Sequence, residues 1–174
     1  MGDCRHRSPG GRCRGENRPS GGRTGREARR KGKMTETNKA VVRGYIEEVM
    51  IKGQGDVTKF EKYVASDAIL HNAYPAAGSD INAWKDRVRM FAAGFSDIHV
   101  TIEDQIAEGD KVVTRTVFSA THTGTFRGIP PTGRRISADE LQITRMKDGK
   151  IAERWSLLDI ASLLKQLGTD RVPS

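Results

Sequence analysis

Carboxylates and histidines are the side chains in this sequence best suited to acid–base chemistry. Glu140 lies in a strand-like segment, and Asp159 directly precedes a helix-like one. Desolvation raises the pKa of a carboxylate that faces an apolar pocket, so either residue could remove a proton from carbon. Each also has a structural alternative. Glu140 could be a solvent-facing charge near a strand end, and Asp159 has the position of a helix N-cap, which we favour.

Thiol chemistry is confined to the beginning of the chain. Both cysteines, Cys4 and Cys13, precede residue 34, so the rest offers no thiol nucleophile, thiolate metal ligand or disulfide. We therefore expect a reducing, cytoplasmic environment. The sequence also has no run of about 18 apolar residues, so neither a transmembrane helix nor a membrane partner is expected.

The positive charge is concentrated in the first 33 residues. The formal net charge is +8 at pH 7, yet residues 1–33 hold eleven of the 30 Lys and Arg and three of the 22 Asp and Glu, which leaves the remainder balanced. This Arg/Gly-rich stretch has almost no large apolar side chains, so we predict a disordered extension. It could bind a polyanion such as RNA, or it could precede a true start at Met34. We predict one domain over 34–174, with nucleic acid an unlikely partner apart from this arm.

Apolar spacing predicts the elements that position the candidate residues. Helical periodicity indicates a first helix capped by Thr35 or Thr37, a short second helix capped by Asp56, a third helix over 81–94 and a closing helix capped by Asp159. Strand patterns fall at 68–72, 98–103, 111–124, 134–146 and 150–158. The Asp148-Gly149 pair is a strong hairpin signal between the last two strands.

Helices packed on one face of a curved antiparallel sheet give an α+β fold. Such a sheet wraps around the helices and encloses a cone with one blind pocket. Strand alternation places Glu140 on the same face as Gln142. Trp84, on the third helix, is either a core residue or a platform for a ligand. His122 belongs to a His-Thr-Gly motif that could orient the following loop rather than contact a substrate.

Two segments carry a family resemblance, THTGTFRGIPPTGRRIS and ITRMKDGKIAERWSLLDIASLLKQLG. Their order and spacing resemble those of SnoaL-like polyketide cyclases, also called ester cyclases, within the NTF2-like superfamily. The resemblance covers nearly all of residues 37–168. The residues that carry it are His122, Gly124, Gly128, Pro130, Pro131, Thr132, Arg134, Asp148, Gly149, Lys150, Gln166, Leu167 and Gly168.

The resemblance implies an NTF2-like cone and a cofactor-free enzyme that closes a ring by intramolecular aldol condensation of a polyketide ester. Such chemistry needs a carboxylate in an apolar pocket and a hydrogen-bond donor where negative charge develops on a carbonyl oxygen. The resemblance calls for no metal. It also implies that the ligand is a small hydrophobic carbonyl compound.

When the family's site positions are matched to this sequence, two of them hold a different residue. From the Asp148-Gly149-Lys150 turn, the catalytic Asp of the last strand lands on Ser156, and the pocket His of the preceding strand lands on Gln142. A hydroxyl and an amide lack the basicity of the groups they replace, so we expect poor aldol cyclase activity. The resemblance also suggests His71 and Asn72 at the pocket mouth, although an exposed strand end is an equal alternative.

Three functions therefore remain open. The first is a cofactor-free enzyme with Glu140, Asp159 or His71 as its acid–base group. The second is a non-catalytic carrier that uses the same pocket, and the third is RNA binding through the basic arm. The resemblance also implies a homodimer, because the family's sheets commonly pair and an exposed patch of Trp155, Leu157 and Leu141 would need a cover.

Overall fold

The computed structural model describes residues 21–71 and 78–169. In chain order, its elements are α1 (Gly21–Tyr45), a π-helical turn (Ile46–Ile51), α2 (Phe60–Tyr63), β1 (Val64–His71), α3 (Ile81–Gly94), β2 (Phe95–Glu108), β3 (Lys111–His122), β4 (Arg135–Lys147), β5 (Lys150–Leu158) and α4 (Ile160–Leu167). This is the order that the sequence predicts, and it confirms the α+β class. No helix in these residues combines the length and the apolar character needed to cross a membrane.

The five strands form one curved sheet in the order β1-β5-β4-β3-β2. Strands β2 to β5 pair antiparallel, as predicted. Two-residue turns join β2 to β3 and β4 to β5, while the longer loop 123–134 joins β3 to β4. β1 differs, since it pairs with β5 in parallel. No turn connects β1 to its neighbour, so its direction was not readable from the hairpin signals.

Register shifts in β2 accompany the curvature of the sheet. They lie between Ser96 and His99 and between Ile102 and Asp104, and Asp97 has a φ of 50°. Such register shifts are typical of β-bulges, in which an extra residue in one strand bends that strand and increases its twist. The curved sheet turns its inner face toward the helices, and three aromatic side chains fill the centre of the core.

Those three core residues are Trp84 of α3, Tyr45 at the end of α1 and Phe60 of α2. Their rings meet edge to face, with centroids 5.5–5.7 Å apart, which is a favoured geometry for aromatic pairs. The Trp84 indole Nε1 donates a hydrogen bond to the Tyr45 hydroxyl at 2.8 Å. This bond satisfies a buried donor and fixes α3 against α1.

The amino-terminal part of α1 departs from the prediction. Residues 21–33 are helical, whereas their composition predicted disorder. Thr35 and Thr37 are not caps, because their hydroxyls donate to the carbonyls of Gly32 and Lys33 within the continuing helix. Side chains 25–33 are exposed, so this part of α1 adds nothing to the core. Residues 1–20 lie outside the described residues, and a domain boundary at Met34 stays a prediction.

The carboxyl-terminal signals agree with the structure. Asp148 and Gly149 both have positive φ, at 51° and 76°, which is what a tight two-residue hairpin requires. Asp159 is the N-cap of α4, since its Oδ1 accepts a hydrogen bond from the Ser162 amide at 2.9 Å. Asp56 instead accepts hydrogen bonds from Thr58 in a local turn, because α2 begins only at Phe60.

Candidate functional site

A pocket opens between the inner face of the sheet and α3. It occupies about 560 Å³ including its mouth, of which about 50 Å³ is accessible to the centre of a water molecule. Its lining residues are Tyr45, Met50, Gly55, Trp84, Arg87, Val88, Phe91, Ala92, Ile98, Phe118, Glu140, Arg154 and Leu158. Most of this lining is apolar, so the few charged groups in it dominate its chemistry.

A buried ion pair joins Glu140 of β4 to Arg154 of β5. The two side chains are 6% and 3% exposed, and Arg154 Nη2 donates to Glu140 Oε1 at 2.8 Å. Arg154 Nε also donates to Gln142 Oε1 at 2.9 Å. Glu140 is therefore a buried pocket carboxylate, and its Oε2 has no hydrogen-bond partner among the described residues.

The strand register explains the reach of Arg154. Arg154 lies opposite Thr144, the next inner pair is Gln142 with Ser156, and the one after it is Glu140 with Leu158. To contact Glu140, the Arg154 side chain must extend across the Gln142–Ser156 row. The pocket lining includes Arg154 and Glu140 but neither residue of that row.

Gln142 and Ser156 are thus separated from the pocket by the Arg154 side chain. They are 1% and 5% exposed, and Gln142 Nε2 and Ser156 Oγ have no hydrogen-bond partner in the described part of the chain. The expectation that they line the pocket is corrected. The transfer of the family's site positions onto this sequence took no account of the long Arg154 side chain on the same strand face.

Tyr45 and Trp84 also line the pocket, next to the ion pair, since the Arg154 guanidinium lies 5.6 Å from the centroid of the Trp84 ring. Tyr45 is 1% exposed, and burial raises the pKa of its hydroxyl, with nearby Arg154 opposing that shift. The hydroxyl therefore stays protonated at neutral pH. Its oxygen accepts from Trp84, and its proton is not donated to any described residue, so it is available to a ligand.

Arg87 adds a second positive charge to the lining. It lies on the pocket side of α3, and its guanidinium is 5.6 Å from the centroid of the Phe91 ring. Burial and, to a lesser extent, the charge of Arg154 lower the pKa of Arg87 to about 10, with Glu140 opposing both. Arg87 is still cationic at neutral pH.

His122 lies away from the pocket and fixes the loop that follows β3. Its Nδ1 accepts a hydrogen bond from the Thr132 amide at 3.2 Å and lies 3.0 Å from the Thr132 hydroxyl oxygen. Its backbone amide and carbonyl bond to Arg134 and Gly133. The structure therefore supports the loop-orienting alternative for the His-Thr-Gly motif rather than a substrate contact.

His71 lies on the outer face of the sheet. Its Nε2 is 3.0 Å from Glu153 Oε2, and its ring stacks on Trp155 with centroids 4.4 Å apart. The expectation of a pocket position is corrected, because the alternation of β1 turns Leu70 inward and His71 outward. Asn72, predicted beside it, lies outside the described residues.

Asp159 lies at the rim of the fold. Besides capping α4, it borders a shallow surface depression with Arg115, Asp139 and Leu157. That depression shares Glu140 and Leu158 with the pocket, but Asp159 is not part of the pocket lining. A structural role accounts for its contacts.

Sequence reasoning missed Arg154, Arg87 and Tyr45. Arg154 has the same strand parity as Ser156, so the alternation that placed Ser156 inward also placed Arg154 there. Arg87 lies three residues after Trp84 and four before Phe91, on the helical stripe that the apolar spacing had already defined. Both signals were present, but charged side chains are rarely buried, so the sequence reasoning considered neither arginine as a pocket residue.

Within residues 21–71 and 78–169, no three His, Cys, Asp or Glu side chains come together in an arrangement that could hold a metal ion. The titratable side chains that line the pocket are Glu140, Tyr45, Arg87 and Arg154.

Comparison with known proteins places this fold and pocket in a family. The model of the SnoaL-like polyketide cyclases matches residues 40–167, which is most of the chain. The chain belongs to the SnoaL-like polyketide cyclase family. This confirms the resemblance inferred from the Thr121-to-Ser137 and Ile143-to-Gly168 segments.

Two curated relatives of this SnoaL-like chain are ester cyclases from Streptomyces. Nogalonic acid methyl ester cyclase of Streptomyces nogalater is 34% identical over 87 residues, which cover 49% of this chain and 65% of that protein. The matched region thus spans just under two thirds of that relative. Aklanonic acid methyl ester cyclase DauD of Streptomyces sp. (strain C5) is 25% identical over 138 residues, covering 74% of this chain and 80% of the other.

Solved structures extend the likeness to the whole fold. TsrD from Streptomyces laurentii superposes with a TM-score of 0.68 at 28% identity, covering 76% of this chain and 96% of TsrD. IdmH from Streptomyces antibioticus superposes with a TM-score of 0.65 at 31% identity, covering 76% and 99%. The cone is therefore shared across these proteins.

The buried ion pair makes a prediction about stability. Arg154→Met leaves the Glu140 charge buried without its partner, and we expect the free energy of unfolding to fall by roughly 3–5 kcal/mol. Adding Glu140→Leu should restore much of that loss, because an apolar pair needs no partner. Urea denaturation of the single and double variants measures both effects. Arg89→Met, at the exposed pair with Asp86, is the control and should cost at most about 1 kcal/mol. An equally small cost for Arg154→Met would contradict the analysis.

His122 makes a second prediction, about pH. Burial lowers the pKa of His122, so the unfolded chain takes up the proton first. Its contribution to stability is fully present above the unfolded pKa of about 6.5 and is lost as the pH falls through the lower folded pKa. Comparing the free energy of unfolding at about pH 8 and about pH 5 should show a smaller drop in His122→Gln than in the wild type. Exposed His99 supplies the control, since His99→Gln should leave the drop unchanged.

Proposed function

We propose that this chain is a cofactor-free acid–base enzyme that acts on a small hydrophobic carbonyl compound, with Glu140 as its base. The observation that carries the proposal is the arrangement of the Glu140 carboxylate in the pocket. Arg154 holds Oε1 at 2.8 Å, while Oε2 has no partner among the described residues. A carboxylate that is fixed through one oxygen presents the other in a defined direction, which favours proton transfer.

The reaction follows from the neighbouring groups. Glu140 Oε2 takes a proton from the carbon next to a carbonyl group, and the electrons of that C–H bond move onto the carbonyl oxygen. The Tyr45 hydroxyl and the Arg87 guanidinium are donors that can stabilise the resulting enolate. The enolate carbon then attacks a second carbonyl carbon, whose oxygen takes the proton back from Glu140, or Glu140 returns the proton to a different carbon of a conjugated enolate. The first outcome is an aldol ring closure and the second an isomerisation.

The relatives support the reaction class more than the substrate. Two of them are named as methyl ester cyclases, so a polyketide ester is the first substrate to test. In this chain, Ser156 and Gln142 occupy the positions expected for the family's Asp and His, and both lie behind Arg154. We propose that Glu140 replaces the missing carboxylate from the neighbouring strand, and that these esters are poor substrates.

A ligand carrier is the second candidate, and the ion pair itself favours it. A guanidinium beside a carboxylate stabilises the negative charge, which weakens that carboxylate as a base. In a carrier, the Glu140–Arg154 pair would serve to shape the pocket floor. We also propose a cytoplasmic location, with which either function is compatible. Neither function needs the cysteines at positions 4 and 13, so a reducing environment would not impair it.

The function test compares variants on nogalonic and aklanonic acid methyl esters. If Glu140 is the base, Glu140→Gln should lower kcat by roughly 10²- to 10⁴-fold while circular dichroism shows the fold intact. Asp159→Asn is the matched carboxylate control and should retain activity. If the family's base is simply missing, the wild type should be inactive and the double change Gln142→His, Ser156→Asp should introduce activity. Wild-type turnover that survives Glu140→Gln would refute the role of Glu140, and ligand binding without turnover would favour the carrier.

We also propose that the chain forms a homodimer through the outer face of its sheet. Leu141, Ile143 and Leu157 are 46%, 38% and 67% exposed, and Trp155 is half-buried beside them. The register pairs Leu141 with Leu157 and Ile143 with Trp155, so the four side chains form one patch. A contiguous apolar patch of this kind is typical of an interaction surface.

The dimer can be tested by one charge placed in that patch. Leu157→Glu should convert a dimer to a monomer in analytical ultracentrifugation at micromolar concentration, because a carboxylate would be desolvated at the interface. Ile106→Glu provides the control, since Ile106 is similarly exposed, at 63%, but lies on β2, three strands away from β5. A monomeric wild type would remove the proposal.

A further inference from the structure

The pocket has more positive than negative charge. Among its lining residues there are two arginines, Arg87 and Arg154, and one carboxylate, Glu140. The carboxylate is committed to Arg154 through a direct hydrogen bond. Arg87 has neither a hydrogen bond nor an ion pair with any described residue, and its ring contact with Phe91 does not neutralise it.

A cation in this position is costly without a counter-charge. Arg87 is half-buried among Trp84, Val88 and Phe91 on the pocket side of α3, where apolar groups replace much of its hydration. Desolvation of a charge is unfavourable unless an opposite charge or hydrogen-bond acceptor compensates for it. An anionic group on a ligand would supply what the protein does not.

The Tyr45 hydroxyl is an independent second donor in the same cavity. Its oxygen already accepts from Trp84 Nε1 at 2.8 Å, which fixes the direction of the phenol and polarises its O–H group. The proton finds no acceptor in the described part of the chain. A guanidinium and a hydroxyl, both without acceptors, suit the two oxygens of a carboxylate.

From this arrangement, we propose that the pocket selects a hydrophobic ligand with a free carboxylate, bound by Arg87 and Tyr45, over the methyl ester of the same compound. This inference rests on the pocket that the proposed function uses, but not on any catalytic step. An ester group has no charge to pair with Arg87.

Naphthalene-2-carboxylate and its methyl ester are matched probes, because they differ only in the charge and a methyl group. Isothermal titration calorimetry of the full chain at neutral pH should give a Kd for the acid that is roughly tenfold or more below that for the ester. Arg87→Met keeps the length of the side chain and removes its charge. It should abolish the preference by weakening the acid roughly tenfold while changing the ester little. Tyr45→Phe should reduce the preference partially.

Arg89→Met is the matched control, since Arg89 lies on the same helix, is exposed and pairs with Asp86. It should leave the preference intact. Equal or tighter binding of the ester, an unchanged preference in Arg87→Met, or no binding of either probe would overturn the proposal. If the acid is not preferred but a methyl ester is turned over in a Glu140-dependent way, the present inference is refuted and the proposed enzyme function is retained. Preferential binding of the acid, together with turnover that Glu140→Gln does not reduce, would support the present inference and refute Glu140 as the base.

Discussion

The buried contact between Glu140 and Arg154 is the interaction on which the rest of the inner face depends. Two ionised side chains can lie in an apolar cone only when each satisfies the other, and a 2.8 Å hydrogen bond between them meets that requirement. The contact also determines which polar side chains of the sheet line the pocket. Because Arg154 starts two inward-facing residue pairs away from Glu140 along the β4–β5 ladder, its side chain lies between the pocket and the deeper polar row of Gln142 and Ser156.

The aromatic cluster then shapes the adjoining wall of the pocket, where the Arg154 guanidinium lies over the Trp84 ring. Trp84, Tyr45 and Phe60 pack edge to face, and the indole-to-hydroxyl bond directs the Tyr45 oxygen. With α3 fixed in this way, Arg87 follows on the same helical face as Trp84 and lies against the cavity. A structural hydrogen bond and an apolar packing requirement thus place two donors next to one carboxylate, which is the set of groups that enolate chemistry or carboxylate recognition needs.

The two faces of the sheet divide the other candidate residues. Inner positions of β4 and β5 carry the buried polar groups, while their outer positions carry Leu141, Leu157 and Trp155, on which His71 of β1 stacks. A shift of one residue in any strand would exchange these sets. The separation explains why His71 does not join Glu140, and why the outer face of the sheet keeps an exposed apolar surface.

The sequence by itself determined the element order, the α+β class, the Asp148-Gly149 hairpin, the Asp159 cap and the family, because each depends on local periodicity, turn chemistry or a contiguous motif. It also placed Glu140 on the same strand face as Gln142 by simple alternation, although it left a solvent-facing position open. Only the tertiary structure decided that β1 runs parallel to β5, that His71 faces outward, and that Arg154 screens Gln142 and Ser156. The physical reason is that these outcomes depend on pairing between distant strands and on how far a long side chain extends. Neither strand pairing nor side-chain reach is encoded in the spacing of neighbouring residues.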